Sequence, residues 1–538
     1  MDQGDYIKKG ECFEKINKHL EAIENYKKAL DAPGNEKNDK SFKLNMKLGE
    51  LYRNSGDMDS CLEYFTASYE IAVKLDNIYF KIDSLNKLAM ENFYKGEIGI
   101  SLTYINKSGN LLNEVDYTEG KLNNLIYWIS KHYCENEYYK AREIGNAALK
   151  LCGENYPYYR GRFLNIIAQS LTDITDADEE LNLLKLSLKS FEEAGFIQGI
   201  LGVTSNIGAI YTDKLQDNEK AFQVYAELKN KAKKENFNEF VVISYIDIGE
   251  TYLSILKYDK AYISYKNGLK TAKKIKLDHM TFYAYIGLLH SCIKLGKYRE
   301  AYKYFKLASD EFSKNPEQGP TISLYYKVNS LFYYKLGDMG NAKKNSKLSL
   351  RFLTIDSVIK WNAGLVYEFI RLQDAKDSIE INEALEGIKG LLSMYKSIEF
   401  IMNNVYNSVI CLLDKGYEDE AIRMFNEYKD IKVKPDLLRL YIEVYIKRIK
   451  DIDSIGEINK LEASAEANGG SLLWKVYLLI GDYYFKKSIL TAARYYGKSL
   501  IEADKFINRV PKEYKDSFSK TYNLDKPRNK LISIEKFL

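Results

Sequence analysis

The amino-acid sequence predicts an all-α protein, a right-handed solenoid of about twelve or thirteen stacked helical hairpins. Three observations carry that prediction. A packing slot recurs at Gly10, Gly49, Ala89, Ile129, Ala168, Gly208, Gly249, Leu289 and Ser330, at steps of 39 to 41 residues. The clearest copy, Phe240–Ala272, sets Ile248, Gly249 and Tyr252 on one face of a first helix and Ala261, Tyr265 and Gly268 on one face of a second. Hydrophobic residues make up 46% and charged residues 29%, enough for a continuous core and a solvated surface. One hairpin cannot bury its apolar face alone, so the units must stack. A stack grows by addition, so 538 residues are read as one elongated body and not three or four ordinary domains.

Taken in order, the first unit has Tyr6, Gly10 and Phe13, then Ala22, Tyr26 and Ala29, closed by Pro33-Gly34. The next has Leu48, Gly49, Tyr52, Cys61 and Phe65. Second-helix alanines hold the phase at Ala141, Ala221, Ala301 and Ala342, with Tyr225 and Phe305 four residues beyond the middle two. In the clearest copy a Lys257-Tyr258-Asp259 turn joins the helices. Residues 1–350 are expected to form the regular array. Residues 351–470 are expected to be degenerate copies with a possible bend: Arg351–Tyr395 splits near Asp374–Asp377, Ser397–Asp430 recovers the pattern, and Asp436–Ala467 is a poor copy. That copy ends in Asn468-Gly469-Gly470, with Ser471 placed to cap the next helix. Residues 471–538 hold the last unit, with Ile480, Gly481, Tyr484, Ala492 and Tyr496, and a closing helix after Pro511.

Gly-x2-Tyr followed by Ala-x3-Tyr, as in Gly208, Tyr211, Ala221 and Tyr225 and again in Gly249, Tyr252, Ala261 and Tyr265, resembles the tetratricopeptide repeat. That unit usually takes about 34 residues, and the longer period adds under one turn to each helix. Forty-residue variants resemble the arrays of bacterial peptide-pheromone receptors and of large bacterial signalling proteins. The resemblance implies a superhelix whose first helices line a concave, partner-binding side. Those receptors usually carry an N-terminal effector or DNA-binding domain, whereas the first unit here begins by Tyr6. A free adaptor and the sensory array of something longer, regulating an effector domain or partner, are both consistent with that start.

Composition and motifs narrow the function classes. Lys+Arg 79 against Asp+Glu 75 leaves +4, close to balance, so wholesale binding of nucleic acid or anionic membrane is not implied. The lysine clusters Lys231–Lys234 and Lys270–Lys276 lie late in second helices, where they favour the negative helix end. No signal core or membrane-span-length apolar run occurs, and the six cysteines form no CxxC pair, which fits a reducing cytoplasm. Cys61 and Cys292 occupy packing slots as small fillers. There is no phosphate loop, HExxH, GxSxG or kinase set, so a non-catalytic protein is expected, with no cofactor or metal.

The place where function is legible is the concave face. In phase with Gly249, the residues one step off the packing slots are Asn86, Tyr127, Arg162, Asn165, Gln169, Asn206, Asp247, Glu250 and His290. An Asn or Gln both accepts from a backbone N–H and donates to a backbone C=O, so a ladder of amides suits an extended peptide whatever its sequence. Arg162 could pair a carboxylate bidentately. The expected partner is a protein or peptide. The competing reading is that polar side chains there only keep a wide groove wet.

Overall fold

The structure, a computed structural model, describes residues 2–32, 38–171, 177–314, 320–352, 357–431, 437–468 and 470–535. Among these it contains 28 α-helices and no strand. They follow one another as hairpins: α1 (Gln3–Lys15) with α2 (His19–Leu30), α3 (Asp39–Ser55) with α4 (Met58–Lys74), α5 (Ile78–Tyr94) with α6 (Ile98–Leu112), α7 (Thr118–Cys134) with α8 (Tyr138–Cys152), and α9 (Pro157–Gln169) with α10 (Ala177–Glu193). Then come α11 (Ile197–Ala209), extended by a π-helical turn at Ile210–Lys214, with α12 (Asn218–Lys234), and α13 (Asn238–Ser254) with α14 (Tyr258–Lys274). The later pairs are α15 (Asp278–Lys294) with α16 (Tyr298–Lys314), α17 (Pro320–Lys335) with α18 (Met339–Arg351), α19 (Ser357–Asp374) with α20 (Ser378–Leu392), α21 (Ile398–Lys415) with α22 (Glu418–Tyr428), α23 (Leu437–Ile449) with α24 (Ile455–Asn468), and α25 (Leu473–Tyr484) with α26 (Ile489–Ile507). Two short helices, α27 (Lys515–Tyr522) and α28 (Lys526–Glu535), close the chain.

The chain divides into two compact units. Unit 1, residues 1–215 and 223–244, holds α1 to α11; unit 2, residues 216–222 and 245–538, holds α14 to α28, and α12 and α13 contribute to both. In unit 1, α5 packs on α7, α7 on α9 and α9 on α11; in unit 2, α15 packs on α17, α17 on α19, α19 on α21, α21 on α23 and α23 on α25. Among the described residues no successive pair of second helices packs comparably. From α5 to α11 in unit 1 and from α15 to α25 in unit 2 the first helices therefore form the tighter, inner layer.

The recurrent slot is what lets the layers approach. Ala89, Ile129, Ala168, Leu289 and Ser330 are fully buried. Where the slot is glycine, an aromatic ring from the second helix lies across the bare backbone: a Cβ on Gly10 would stand 2.5 Å from Tyr26, on Gly49 2.5 Å from Phe65, on Gly249 2.8 Å from Tyr265 and on Gly481 2.5 Å from Tyr496. The ring reaches past the helix, so the Tyr26, Tyr265 and Tyr496 hydroxyls donate to Glu14, Glu250 and Asp482 at 2.7, 2.6 and 2.7 Å. Cys61 and Cys292 are fully buried, as fillers should be.

The hairpin turn is set by one left-handed residue, at Asn17, Gly56, Gly96, Asn136, Gln216, Leu256, Gly296, Gly337 and Gly416. The turn expected at Lys257-Tyr258-Asp259 lies earlier: Leu256 adopts φ +60°, the Lys257 N–H donates to the Tyr252 carbonyl at 2.9 Å, and Tyr258 already begins α14. Ser471 is not a cap. It sits inside a 3-10 turn, Gly470–Leu472, and Leu472 precedes α25 with no side-chain cap. Pro33-Gly34 and Gly469 lie outside the described residues.

Past Pro511 a 3-10 turn leads into the closing helices, which fold back within unit 2. Phe518 of α27 is fully buried, its ring centroid 4.9 Å from that of Phe506 and 5.6 Å from that of Tyr298. The Ser517 hydroxyl donates to the Leu336 carbonyl at 2.8 Å, joining residues 181 apart. The last hairpin is thereby tied to α16 and to the end of α17.

Candidate functional site

The inner face is the stripe of each first helix that neither the next first helix nor its own second helix covers. On α13 it is Ile243, Asp247, Glu250 and Ser254, at i, i+4, i+7 and i+11. Four of the nine expected residues come together in unit 1. Arg162, Asn165, Gln169 and Asn206 are all half-buried on α9 and α11. Asn165 Oδ1 accepts from Asn206 Nδ2 at 3.0 Å and from Gln169 Nε2 at 3.3 Å, while Arg162 Nη1 donates to Tyr158 Oη at 3.1 Å. Among the described residues Asn165 Nδ2, Gln169 Oε1 and Asn206 Oδ1 keep donor and acceptor capacity that no other protein group uses. The cluster thus offers both halves of an amide pairing along two adjacent helices.

Two expected residues do not reach the face. Asn86 is 5% exposed, donates to the Gly120 carbonyl at 3.0 Å and accepts from Ser108 Oγ at 2.7 Å. Tyr127 is fully buried, its hydroxyl accepting from Ser101 at 2.7 Å. Both are internal polar groups whose hydrogen bonds are made by neighbouring helices. In unit 2, Asp247, Glu250 and His290 are half-buried on the inner stripe. Glu250 has a structural duty in holding the Tyr265 hydroxyl. Burial, then the nearby charges of Lys294 and Lys327, hold the His290 imidazole well below its ordinary pKa.

Unit 1 also carries a charged ladder that the repeat pattern does not mark. Lys47 meets Glu14 at 2.8 Å and Lys87 meets Glu50 at 2.6 Å, so α3 bridges to α1 and α5 bridges to α3. Arg53 Nε lies 3.2 Å from Glu91 Oε1, an ion contact without hydrogen-bond geometry, and the Glu91 side chain is only 1% exposed. Burial pushes the Glu91 carboxyl up against the pull of Arg53 and Lys87. Asp83 accepts from the Tyr117 hydroxyl at 3.0 Å, and burial pushes its carboxyl up to about 6. The available signal was opposite charges a little less than one period apart: Glu14 and Lys47 are 33 residues apart, Glu50 and Lys87 37.

One group of metal-capable side chains forms among the described residues. His132, Glu135 and Glu137 have ligand atoms within 4.8 Å of one another. Glu137 already accepts from Lys140 at 2.9 Å and meets His132 at 2.6 Å, and Glu135 meets Lys131 at 2.5 Å, so the group is a solvated ion-pair cluster at a turn. Among the described residues no helix is long and apolar enough to cross a membrane.

Residues 42–72, the α3–α4 hairpin, match the family model of the tetratricopeptide repeat. No curated protein matches the chain. Among solved structures it is similar to a Rap protein complexed with competence and sporulation factor (12% identity, 73% of this chain, 97% of that one, TM-score 0.41). It is similar also to RapI in its apo form (18% identity, 50% and 97%, TM-score 0.40). A third likeness is to the APC/C hetero-tetramer Cut9-Hcn1 (15% identity, 97% and 96%, TM-score 0.47).

Proposed function

We propose that this array of tetratricopeptide-type hairpins is a non-catalytic scaffold that holds an extended segment of a protein or peptide along its first helices, with Arg162, Asn165, Gln169 and Asn206 as the contact set in unit 1. The observation that carries the reading is the shared amide: Asn206 reaches across from α11 to Asn165 on α9 at 3.0 Å, leaving a donor and two acceptors of the trio unused by the protein. Water can satisfy them in the free protein, and a peptide backbone presents the same groups at regular steps. Arg162 adds a fixed cation for a carboxylate.

Replacing Asn165 and Asn206 together by alanine tests it. Each neutral hydrogen bond contributes about 0.5–1.5 kcal/mol net, so the pair is expected to weaken partner binding roughly tenfold or more. The melting temperature should scarcely move, because both ends of the Asn165–Asn206 bond disappear together and the one group that loses its acceptor, Gln169 Nε2, is only half-buried and open to water. Crosslinking with mass spectrometry on partner-bound protein should mark α9 and α11. Unaltered affinity of the double variant, or crosslinks confined to second helices, would sink this reading.

A further inference from the structure

Three neighbouring first helices of unit 2, α13, α15 and α17, are sorted by charge. From Tyr245 to Ser254, α13 carries Asp247 and Glu250 and no basic residue. After Asp278 at its start, α15 carries His290 and Lys294 and no acid; α17 carries Lys327 and Lys335 and no acid. These residues share the inner side. On α15 nearly every position from Thr281 to Lys294 is buried, and the three with solvent exposure, Tyr283, His290 and Lys294, fall on one stripe. The helices are neighbours: Tyr265 lies between Gly249 of α13 and Gly287 of α15, and α15 packs on α17.

The cations are close enough to repel one another. Burial, then Lys335 and Lys327, brings the Lys294 ammonium down to about 8. Burial, then Lys475, brings Lys335 down to about 8. Lys294 is exposed at the end of α15 and stands near Lys335 and Lys327. Lys335 has the Tyr334 ring 5.2 Å from its Nζ, and Lys475 is paired with Asp414. On the acidic side, Tyr265 occupies one oxygen of Glu250 and leaves the carboxylate further acceptor capacity. Lys294 and Lys335 repel each other with no acid on their own helices beyond Asp278, and an incoming anion relieves that repulsion.

We propose that the inner face of unit 2 selects a partner segment of split charge, with a basic residue against Asp247 and Glu250 on α13 and acidic residues against Lys294 on α15 and Lys335 on α17. The proposal rests on the reading that first helices hold an extended segment. Helix axes stand about 8–10 Å apart and an extended chain rises about 3.3 Å per residue, so each helix is about three residues of partner. The basic residue and the two acidic ones therefore recur at about every third position, in one chain direction or the other.

Fluorescence anisotropy on the full chain tests this with fluorescein-labelled nine-residue peptides in a Ser/Ala background. Two carry Lys, Asp and Glu at positions 2, 5 and 8, in that order and reversed; two controls carry Asp, Lys and Lys at the same positions, again in both orders. One split-charge peptide should bind at least about tenfold more tightly than either control, with that margin shrinking as salt is raised. Lys294→Ser/Lys335→Ser should abolish the margin, and Lys294→Glu/Lys335→Glu should invert it. Circular dichroism of both variants should match the parent, since removing mutually repelling cations leaves no orphaned partner. Equal binding of all peptides, no binding of any, or a margin unchanged in the serine variant would overturn the charge assignment. The groove reading is judged separately, by crosslinks to α9 and α11: these would stand while the charge assignment failed, and their appearance only on second helices would remove both.

Discussion

Substitution of Gly249 by leucine probes the contact on which the stack depends. A Cβ there would lie 2.8 Å from Tyr265 Cζ and 2.9 Å from each Cε, against a carbon–carbon optimum of about 3.5–4.0 Å. The ring cannot step aside. Gly287 of α15 presses the same ring at Cε1, and the hydroxyl is held by Glu250 at 2.6 Å. The overlap must be relieved by moving α13 away from α14, and leucine adds three further carbons to the same space. Overpacking of this kind costs about 1–3 kcal/mol, and four carbons against an immobile ring place it near the top of that range. Leucine recovers about 0.8 kcal/mol of helix propensity over glycine, leaving a net loss of about 2 kcal/mol. A stack of hairpins confines such damage to its neighbours. Hydrogen exchange in α13 to α15 should accelerate about 30-fold, the equivalent of 2 kcal/mol, while α3 to α6 keep their protection. Gly497 in α26 is the counterpart: nothing lies within 4 Å of its added Cβ, so Gly497→Ala should stabilise by about 0.8–1.0 kcal/mol. Unchanged exchange across α13 to α15 in the Gly249 variant would refute the packing argument.

Arg53→Met should cost about 3 kcal/mol in urea unfolding by leaving the buried Glu91 carboxylate without its cation, and adding Glu91→Leu should restore most of it; failure of the second change to rescue would show that the ion contact carries little. For Asp83, whose folded carboxyl sits near 6 against an ordinary 3.8, the folded protein holds the proton more tightly than the unfolded chain. Its contribution is full below about pH 4 and lost as pH rises through 6, so stability measured from pH 4 to 7 should fall less in Asp83→Asn than in the parent; parallel curves would contradict the assignment. Phe518→Ala should cost about 3–5 kcal/mol and raise exchange at the start of α16 and the end of α17, outcomes that a loosely attached C-terminal segment would not produce.

The helical class, the period and the hairpin repeat were legible because they are local: a 3.6-residue stripe and a 40-residue step are written in residue order alone. Among the described residues thirteen hairpins agree with the expected twelve or thirteen, and two short helices, not one, follow the last of them. The glycine slots were legible too, since only a missing side chain admits the ring of Tyr26, Tyr265 or Tyr496. Turn positions slipped because a left-handed residue need not be glycine, and Leu256 carries that conformation. The inner face was half legible. Phase places Asn165, Gln169 and Asn206 on it, yet Asn86 and Tyr127, predicted from the same phase, are buried between helices, and no single helix records that difference. Only tertiary structure decides which carboxylate a threaded tyrosine reaches, which lysine on the next helix answers Glu14 or Glu50, and that α27 returns to α16 and α17 across 181 residues. Those are properties of the distance between helices, and sequence encodes them only through packing.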